Sequence, residues 1–243
     1  RYIGERIDIK IEYWTATSAS GPFKLKDTLN PQAACYVYKL DCERDKTTYV
    51  KLRVKHSELS GVYGEYSEAK SIAVGPKSPT ISSIARNSAD TGFTLKWSAS
   101  SGAKSYLIYG SHGTGAYSQL SSVTGTTATV NYSTLAANAL YTFKIRAVGD
   151  YQSGLSNGAR GLTPVKSVTV SSPSEGKVKV SYSGGDATSY QIGYAKVGSS
   201  YATVTTSSTS YTFSNLAPGA KYNFYVKGFC DGIGSSPKKA SCT

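Results

Sequence analysis

Residues able to do acid–base or nucleophilic chemistry are scarce in this chain of 243 residues. It contains two histidines, His56 and His112, and no methionine. The chain shows no G-x-S-x-G, H-E-x-x-H or phosphate-loop spacing. The acidic cluster from Asp41 to Asp45 lacks the spacing of a calcium loop. The sequence therefore predicts no enzyme: it offers no catalytic residue, no metal site and no cofactor.

The four cysteines are candidates for disulfide chemistry. They are Cys35, Cys42, Cys230 and Cys242, and none has the C-x-x-C spacing of a zinc site. Four cysteines allow three pairings, and the short separations favour Cys35–Cys42 and Cys230–Cys242. Paired cysteines indicate an oxidising compartment, hence an extracellular or cell-surface location. The alternative is four free, buried thiols.

An asparagine and several aromatic residues are candidates for modification or contact. Asn131 begins the tripeptide Asn131-Tyr-Ser133, which accepts N-linked glycans, and strand alternation points it outward. Trp14, Tyr63 and Tyr151 lie at predicted strand ends or loops, where aromatic rings often anchor protein contacts. The alternative is that these rings are singly exposed, which is ordinary for a protein surface.

The elements that carry these residues are predicted to be strands. Tyr, Thr, Val and Ser are abundant, as expected for pleated sheets. One pattern repeats after 81 residues: Leu135 and Tyr141 recur as Leu216 and Tyr222, and an alternating strand follows each tyrosine. A looser copy leads to Tyr49 and ends near residue 54. Short strands at this spacing predict β-sandwiches.

These residues resemble a fibronectin type III domain over residues 79–243. The resemblance rests on Trp97 and Tyr106 on the second and third predicted strands, and on the leucine six residues before Tyr141. It implies an all-β fold of tandem immunoglobulin-like sandwiches, with a tyrosine corner whose hydroxyl bonds to nearby backbone. The predicted domains are residues 1–76, 77–163 and 164–243. The fold itself implies little about function.

The first predicted domain lacks its first two strands. Residues 9–13 align with the third strand of the last domain, and only eight residues precede them. Two strands would bury about five large side chains, each contributing roughly 1.5–3 kcal/mol, whereas a domain's whole stability is about 5–15 kcal/mol. We therefore expect completion by the upstream part of the same protein, whether continuous or cleaved and docked, or by another subunit.

Charge and hydropathy restrict the partners. The net charge of +12 is spread as +3, +4 and +5 over residues 1–78, 79–163 and 164–243. Spread charge favours loose attraction to an acidic polysaccharide over the concentrated footprint of a nucleic-acid binder. No apolar run approaches 18 residues, so the sequence predicts no membrane span.

Three functions fit this sequence. Prolines at two short joints, residues 75–79 and 162–164, stiffen the chain. The leading hypothesis is a non-enzymatic extracellular structural or adhesion protein, a stiff rod from a longer surface or fibre protein that could build filaments. The alternative is a receptor-like ectodomain that binds a protein or acidic polysaccharide through its loops. A third is a spacer segment of a secreted glycan-degrading enzyme.

Overall fold

The computed structural model describes residues 9–30 and 40–242. Within those ranges the chain forms twenty strands and one 3₁₀ turn, which confirms the predicted all-β fold of tandem sandwiches. The chain divides into two compact units. Unit 1 contains the residues up to Lys77 together with Ser100–Lys104 and Val148–Ser153, and unit 2 contains the remainder.

Unit 1 is built on a single sheet over its described residues, in the order β2-β1-β3-β4. The strands are β1 (Ile9–Ala16), β2 (Lys24–Leu29), β3 (Lys46–His56) and β4 (Lys70–Val74). One face of this sheet is apolar, because Ile11 lies opposite Val54 and Tyr13 opposite Leu52. Leu52 is 45% exposed and Val54 is 42% exposed. The described residues of unit 1 thus lack a second sheet over this face.

Two sandwiches follow, and apart from a few terminal residues their strands lie in unit 2. The middle sandwich has one sheet in the order β5-β6-β9 and another in the order β11-β10-β7-β8, with β12 beside β10. Its strands are β5 (Ile81–Arg86), β6 (Gly92–Trp97), β7 (Ser105–His112), β8 (Ser118–Val123), β9 (Thr127–Asn131), β10 (Leu140–Val148), β11 (Gln152–Leu155) and β12 (Ala159–Leu162).

The last sandwich repeats this arrangement. Its sheets run β13-β14-β17 and β16-β15-β18-β19, with β20 beside β18. Its strands are β13 (Val168–Ser174), β14 (Lys177–Tyr182), β15 (Ser189–Lys196), β16 (Ala202–Thr206), β17 (Ser210–Phe213), β18 (Tyr222–Cys230), β19 (Ile233–Gly234) and β20 (Lys238–Cys242).

Both sandwiches of unit 2 close their cores with an aromatic pair and a tyrosine corner. Trp97 contacts Tyr106 at 5.5 Å between ring centroids, and Tyr182 contacts Tyr190 at 4.7 Å in the equivalent place. The backbone N–H of Ala136 donates to the Tyr141 hydroxyl at 3.0 Å. The N–H of Ala217 donates to the Tyr222 hydroxyl at 3.2 Å. Both predicted corners are confirmed.

The alignment of Tyr49 with these corner tyrosines is wrong by one residue. Ile11 pairs with Val54 as Ile192 pairs with Val226, so Val50 holds the position of Tyr222. A shift of one residue moves every side chain of a strand to the other face. With the observed register, Leu52 and Val54 lie on the face equivalent to the core face of the last sandwich.

Candidate interaction surfaces

Two of the three predicted contact residues lie together on the other face of the unit 1 sheet. The Arg53 guanidinium carbon lies 5.0 Å from the Trp14 ring, 3.8 Å from the Tyr63 ring and 4.8 Å from the Tyr66 ring. Trp14 meets Tyr66 edge-on at 5.7 Å. We call these four residues the Arg53 stack. Exposed cation–π contacts each contribute roughly 0.5–1 kcal/mol, so the three contacts together favour this arrangement of the rings.

A buried carboxylate anchors the Arg53 stack. Glu12 is only 3% exposed and lies directly opposite Arg53 across β1 and β3. It accepts hydrogen bonds from Arg53 Nε at 2.7 Å and from Trp14 Nε1 at 3.2 Å, and Lys55 Nζ lies 4.0 Å away. Desolvation alone would lower the pKa of Arg53, but the hydrogen bond and the charge of Glu12 raise it. Arg53 therefore keeps its charge among the rings.

The third predicted contact residue, Tyr151, lies elsewhere in unit 1. Its backbone N–H donates to Asp45 Oδ1 at 3.1 Å, and its hydroxyl hydrogen-bonds to Thr47. Thr47 is six residues before Arg53 on β3, roughly 20 Å along the strand. Tyr151 is therefore bonded at the opposite end of β3 and does not extend the Arg53 stack.

The acidic cluster of unit 1 is used for local contacts. Asp45 lies against Gly149, where an added Cβ would come within 2.2 Å of its carboxylate, and it accepts the Tyr151 N–H. Glu43 forms an ion pair with Lys46, whose hydrogen bond lowers the pKa of Glu43. Two acids of the cluster, Glu43 and Asp45, thus have partners within unit 1.

The local disulfide predicted between Cys230 and Cys242 is wrong for this fold. Cys242 pairs with Tyr222 at one end of β18, and Cys230 ends the same strand eight residues away. Eight strand residues span roughly 26 Å, whereas the Cα atoms of a disulfide lie about 4.4–6.8 Å apart. Burial raises the pKa of the Cys230 thiol. Cys35 lies outside the described residues, so its pairing with Cys42 stays a prediction.

Asn131 lies where a glycan acceptor is expected. It is exposed at the end of β9, whose residues alternate between exposed and buried. A 3₁₀ turn, Tyr132–Thr134, follows it, and its side chain makes no capping hydrogen bond to that turn. Alternation thus points Asn131 outward as predicted, and its glycosylation stays a prediction.

A buried residue that joins the two sandwiches of unit 2 was not predicted from the sequence. Asn138 is 1% exposed, and its amide Nδ2 donates to the Tyr190 hydroxyl at 3.0 Å and to the Ser183 carbonyl at 3.3 Å. Its backbone carbonyl accepts the N–H of Asp186 at 2.7 Å. Asp186 in turn accepts the N–H of Leu140 at 2.8 Å. These bonds cross directly from the middle sandwich to the last one.

The repeat contained a signal for this joint. Asn138 occupies the corner position that Gly219 occupies in the last sandwich, three residues after the leucine. Both have positive φ, 50° for Asn138 and 69° for Gly219. Asparagine is among the few residues that adopt this conformation readily. An asparagine at a glycine position of the repeat therefore adds a side chain that reaches the next sandwich.

Comparison with known proteins agrees with this architecture. The fibronectin type III domain model matches residues 163–242. The last domain is a fibronectin type III domain. The resemblance seen in the tyrosine corners is thereby confirmed, and the middle sandwich repeats the strand order of this fibronectin type III domain. No curated protein matches the chain significantly.

Two solved structures are similar to this chain. A segment of two fibronectin type III domains from chicken tenascin is 19% identical, with a TM-score of 0.37, and the match covers 69% of this chain and 98% of that one. The FN1–FN3 domains of chicken CNTN1 are 15% identical, with a TM-score of 0.31, and the match covers 98% of this chain and 89% of theirs. Within residues 9–30 and 40–242, no helix has the length and apolarity needed to cross a membrane.

Proposed function

We propose that this chain is a non-enzymatic structural or adhesion segment that acts outside the cell or at its surface, as a stiff spacer of fibronectin type III-like domains. The proposal rests on the hydrogen bonds of Asn138, which join the two sandwiches of unit 2. A joint with a buried, hydrogen-bonded side chain resists bending, and a spacer that must hold a fixed distance needs such joints. Pro164 adds to this stiffness, because its backbone carbonyl accepts the Asn138 N–H at 2.8 Å.

Location and assembly test this proposal. An antibody against the chain should label intact cells or the extracellular matrix of the source organism, without permeabilisation. Electron microscopy of the labelled material should then show the chain in filaments or at cell contacts. Labelling found only after permeabilisation would contradict the proposal. The glycan proposed at Asn131 is checked on the same material by enzymatic deglycosylation and intact mass.

We further propose that the apolar face of the unit 1 sheet is covered in the native protein. Ile9, Leu52 and Val54 are each about two-fifths exposed there, and such a face on a sheet is an aggregation hazard unless another element covers it. The cover comes from chain beyond the described residues or from another subunit. Intact mass and light scattering of the native, unreduced protein distinguish these sources. Extra mass that proves to be upstream sequence supports a cover from the same protein. Oligomers of the chain without extra mass support a cover from another subunit.

A second candidate function is that of a receptor-like ectodomain, and the Arg53 stack favours it. Tyr63 and Tyr66 are each 43% exposed, and their rings are held by Arg53. Rigid exposed aromatic residues beside arginine are typical of the energetic centre of protein interfaces. We propose Trp14 and Tyr63 as contact residues of such a surface, with Tyr151 as a separate contact. Capture of the same extracellular partner by wild type but not by Tyr63→Ala would support this function, and equal capture would contradict it.

A further inference from the structure

The outer face of the larger sheet in the last domain carries charge of a single sign. Two lysines, Lys227 and Lys239, lie on this face, and within the described residues its strands contain no carboxylate. The other two lysines of these strands, Lys196 and Lys238, lie opposite Tyr222 and Val226 and so belong to the inner face. The three carboxylates of the domain lie elsewhere. Asp231 pairs with Arg160 at 2.7 Å, Asp186 accepts the N–H of Leu140, and Glu175 lies in the turn between β13 and β14. The face is therefore attractive to anions.

Two adjacent rows of side chains cross this face. Tyr225 lies opposite Gly193 on one side and opposite Lys239 on the other. Lys227, two residues further along β18, lies opposite Gln191. Residues directly opposite each other on neighbouring strands point to the same face of the sheet. Because side chains alternate along a strand, this face is the one opposite to the face that carries the buried core residues. Lys227 and Lys239 are diagonal neighbours, roughly 7–8 Å apart.

An aromatic platform lies beside these lysines, on the side of β15. The Tyr225 ring covers Gly193 so closely that a Cβ on residue 193 would lie 2.0 Å from the ring. Glycine is therefore required for the ring to lie across the sheet. The Tyr201 ring lies 5.1 Å from the Tyr225 ring and is 44% exposed. The Tyr225 hydroxyl donates to Gln191 Oε1 at 3.5 Å, which holds the ring in this position.

The shape and composition of this face favour one class of ligand. Small molecules bind in concave pockets, whereas a sheet face offers an open strip to an extended chain. Lysine is depleted at the centre of protein interfaces, which argues against a protein partner. Tyrosine rings provide an apolar surface with a polar edge, suited to the apolar face of a sugar ring. The positively charged lysines beside these rings attract the carboxylate or sulfate groups of such a chain.

We propose that this outer face binds an acidic polysaccharide, with Tyr225 and Tyr201 stacking against sugar rings and Lys227 and Lys239 pairing with their anionic groups. Gln191 and the exposed Thr203, which lies opposite Gly193, face the sugar hydroxyls. The inference rests on the proposed extracellular location, but it assigns binding to a sheet face and not to loops.

Charge-matched variants test the position of the site. Heparin oligosaccharide is titrated into the full chain by calorimetry at several salt concentrations. Lys227→Gln with Lys239→Gln should weaken binding about tenfold or more and lower the slope of log affinity against log salt by roughly one to two. Lys177→Gln with Lys179→Gln is the control: these exposed lysines lie on β14 of the opposite sheet, so affinity should change less than about twofold. Equal losses in both pairs would overturn the proposal.

Aromatic variants test the stacking. Tyr201→Ala should weaken heparin binding several-fold, whereas Tyr201→Phe, which keeps the ring, should not. Gly193→Ala should also weaken it, because the Tyr225 ring must move. None of these should change binding of inorganic polyphosphate, which has charge but no sugar ring. Circular dichroism of each variant checks its fold, and Tyr201→Ala decides the question if Gly193→Ala unfolds.

Two further outcomes would overturn the proposal. One is no binding of heparin by the wild type at low salt. The other is tighter binding of a poly-glutamate peptide than of heparin through the same lysines, which would assign the face to an acidic protein. Binding by the purified chain does not depend on where cells place it. Failure of surface labelling therefore contradicts the proposed function alone, and failure of heparin binding contradicts this inference alone.

Discussion

Glu12 is the only carboxylate that is buried within residues 9–30 and 40–242. A buried charge is costly unless it is paired and hydrogen-bonded, and Glu12 meets this requirement through Arg53 and Trp14. The same bonds hold the guanidinium where three rings contact it. The position of the rings in the proposed receptor surface thus depends on one acid that is itself buried.

Glu12→Gln should destabilise unit 1 and loosen the Arg53 stack. The amide keeps the shape but removes the charge that faces Arg53, so we expect a loss of about 1–3 kcal/mol. Unfolding in urea, followed by the fluorescence change of Trp14, measures it. Glu68→Gln is the control, because Glu68 forms an exposed pair with Lys70 at 3.6 Å, and such pairs contribute about 0–1 kcal/mol. Equal effects of the two changes would contradict this account.

Tyr182 should make the last domain sensitive to alkali. Burial, followed by the nearby Tyr190, raises the pKa of Tyr182 to about 12. The folded state therefore favours the protonated phenol, and this stabilisation is complete below about pH 10 and is lost as the pH rises through about 12. A shift of this size corresponds to roughly 2–3 kcal/mol.

Unfolding of wild type and Tyr182→Phe in urea at increasing alkaline pH tests this prediction. Phenylalanine keeps the ring contact with Tyr190 but loses the hydrogen bond to the Ser208 carbonyl, so the variant should be less stable near neutral pH and should lose less stability in alkali. The exposed Tyr201→Phe serves as the control. Parallel decline of all three proteins above pH 10 would show that Tyr182 is not responsible.

At the scale of the element, the length of β18 determines whether Cys230 and Cys242 can form a disulfide. Because Cys230 and Cys242 lie at opposite ends of that strand, peptide mapping of the unreduced chain should recover no peptide that links them. Cys230 should also react slowly with iodoacetamide in the folded chain, since burial raises the pKa of its thiol and the thiolate is the reactive form. Unfolding in urea should restore fast alkylation. A recovered Cys230–Cys242 peptide would contradict the observed register.

Strands with large alternating side chains were predicted well from the sequence, and small polar strands were not. The strands containing Trp97, Tyr141 and Tyr222 lie where the alternation placed them. β8 and β16 were missed because Ser118–Val123 and Ala202–Thr206 contain few large apolar residues. Both lie at the edge of a sheet and are held by backbone pairing to β7 and β15. Backbone pairing leaves little trace in side-chain patterns.

The outer-face sites were harder to predict than the fold, because they depend on register. Trp14 and Tyr63 were selected from their positions at strand ends, whereas Arg53, which joins them, is visible only once β1 and β3 are paired. Similar cation–aromatic contacts recur on the other sandwiches: Lys144 lies 4.9 Å from Tyr117 and Lys227 lies 4.9 Å from Phe229. In each case the cation lies on the strand that follows the corner, β3, β10 or β18.

At the scale of the whole molecule, the behaviour of the proposed spacer depends on whether neighbouring sandwiches unfold together. In unit 2 the joint has few residues, and proline alone restricts only φ at one position. The hydrogen bonds of Asn138 to Tyr190 and Ser183 add contacts that either sandwich loses when the other unfolds. Coupling of this kind is the property that separates a stiff spacer from a flexible string of domains.

Asn138→Gly should uncouple the two sandwiches while leaving each one folded. Glycine fits the positive φ, as Gly219 does at the equivalent corner, so the corner itself is retained. Loss of the buried amide should remove about 1–3 kcal/mol of coupling, and calorimetry should then show two unfolding transitions at separate temperatures.

The reciprocal change, Gly219→Asn, is the matched control. An added Cβ at residue 219 meets no atom within 4 Å, and asparagine tolerates the same backbone conformation. It should leave the thermal profile of the chain nearly unchanged. If Asn138→Gly still unfolds in a single transition at the temperature of the wild type, stiffness cannot come from the Asn138 hydrogen bonds. The rigidity of the spacer would then rest on the other contacts between the sandwiches, which include the Tyr132–Ser236 hydrogen bond, the Arg160–Asp231 ion pair and the apolar contacts around Leu162 and Val165.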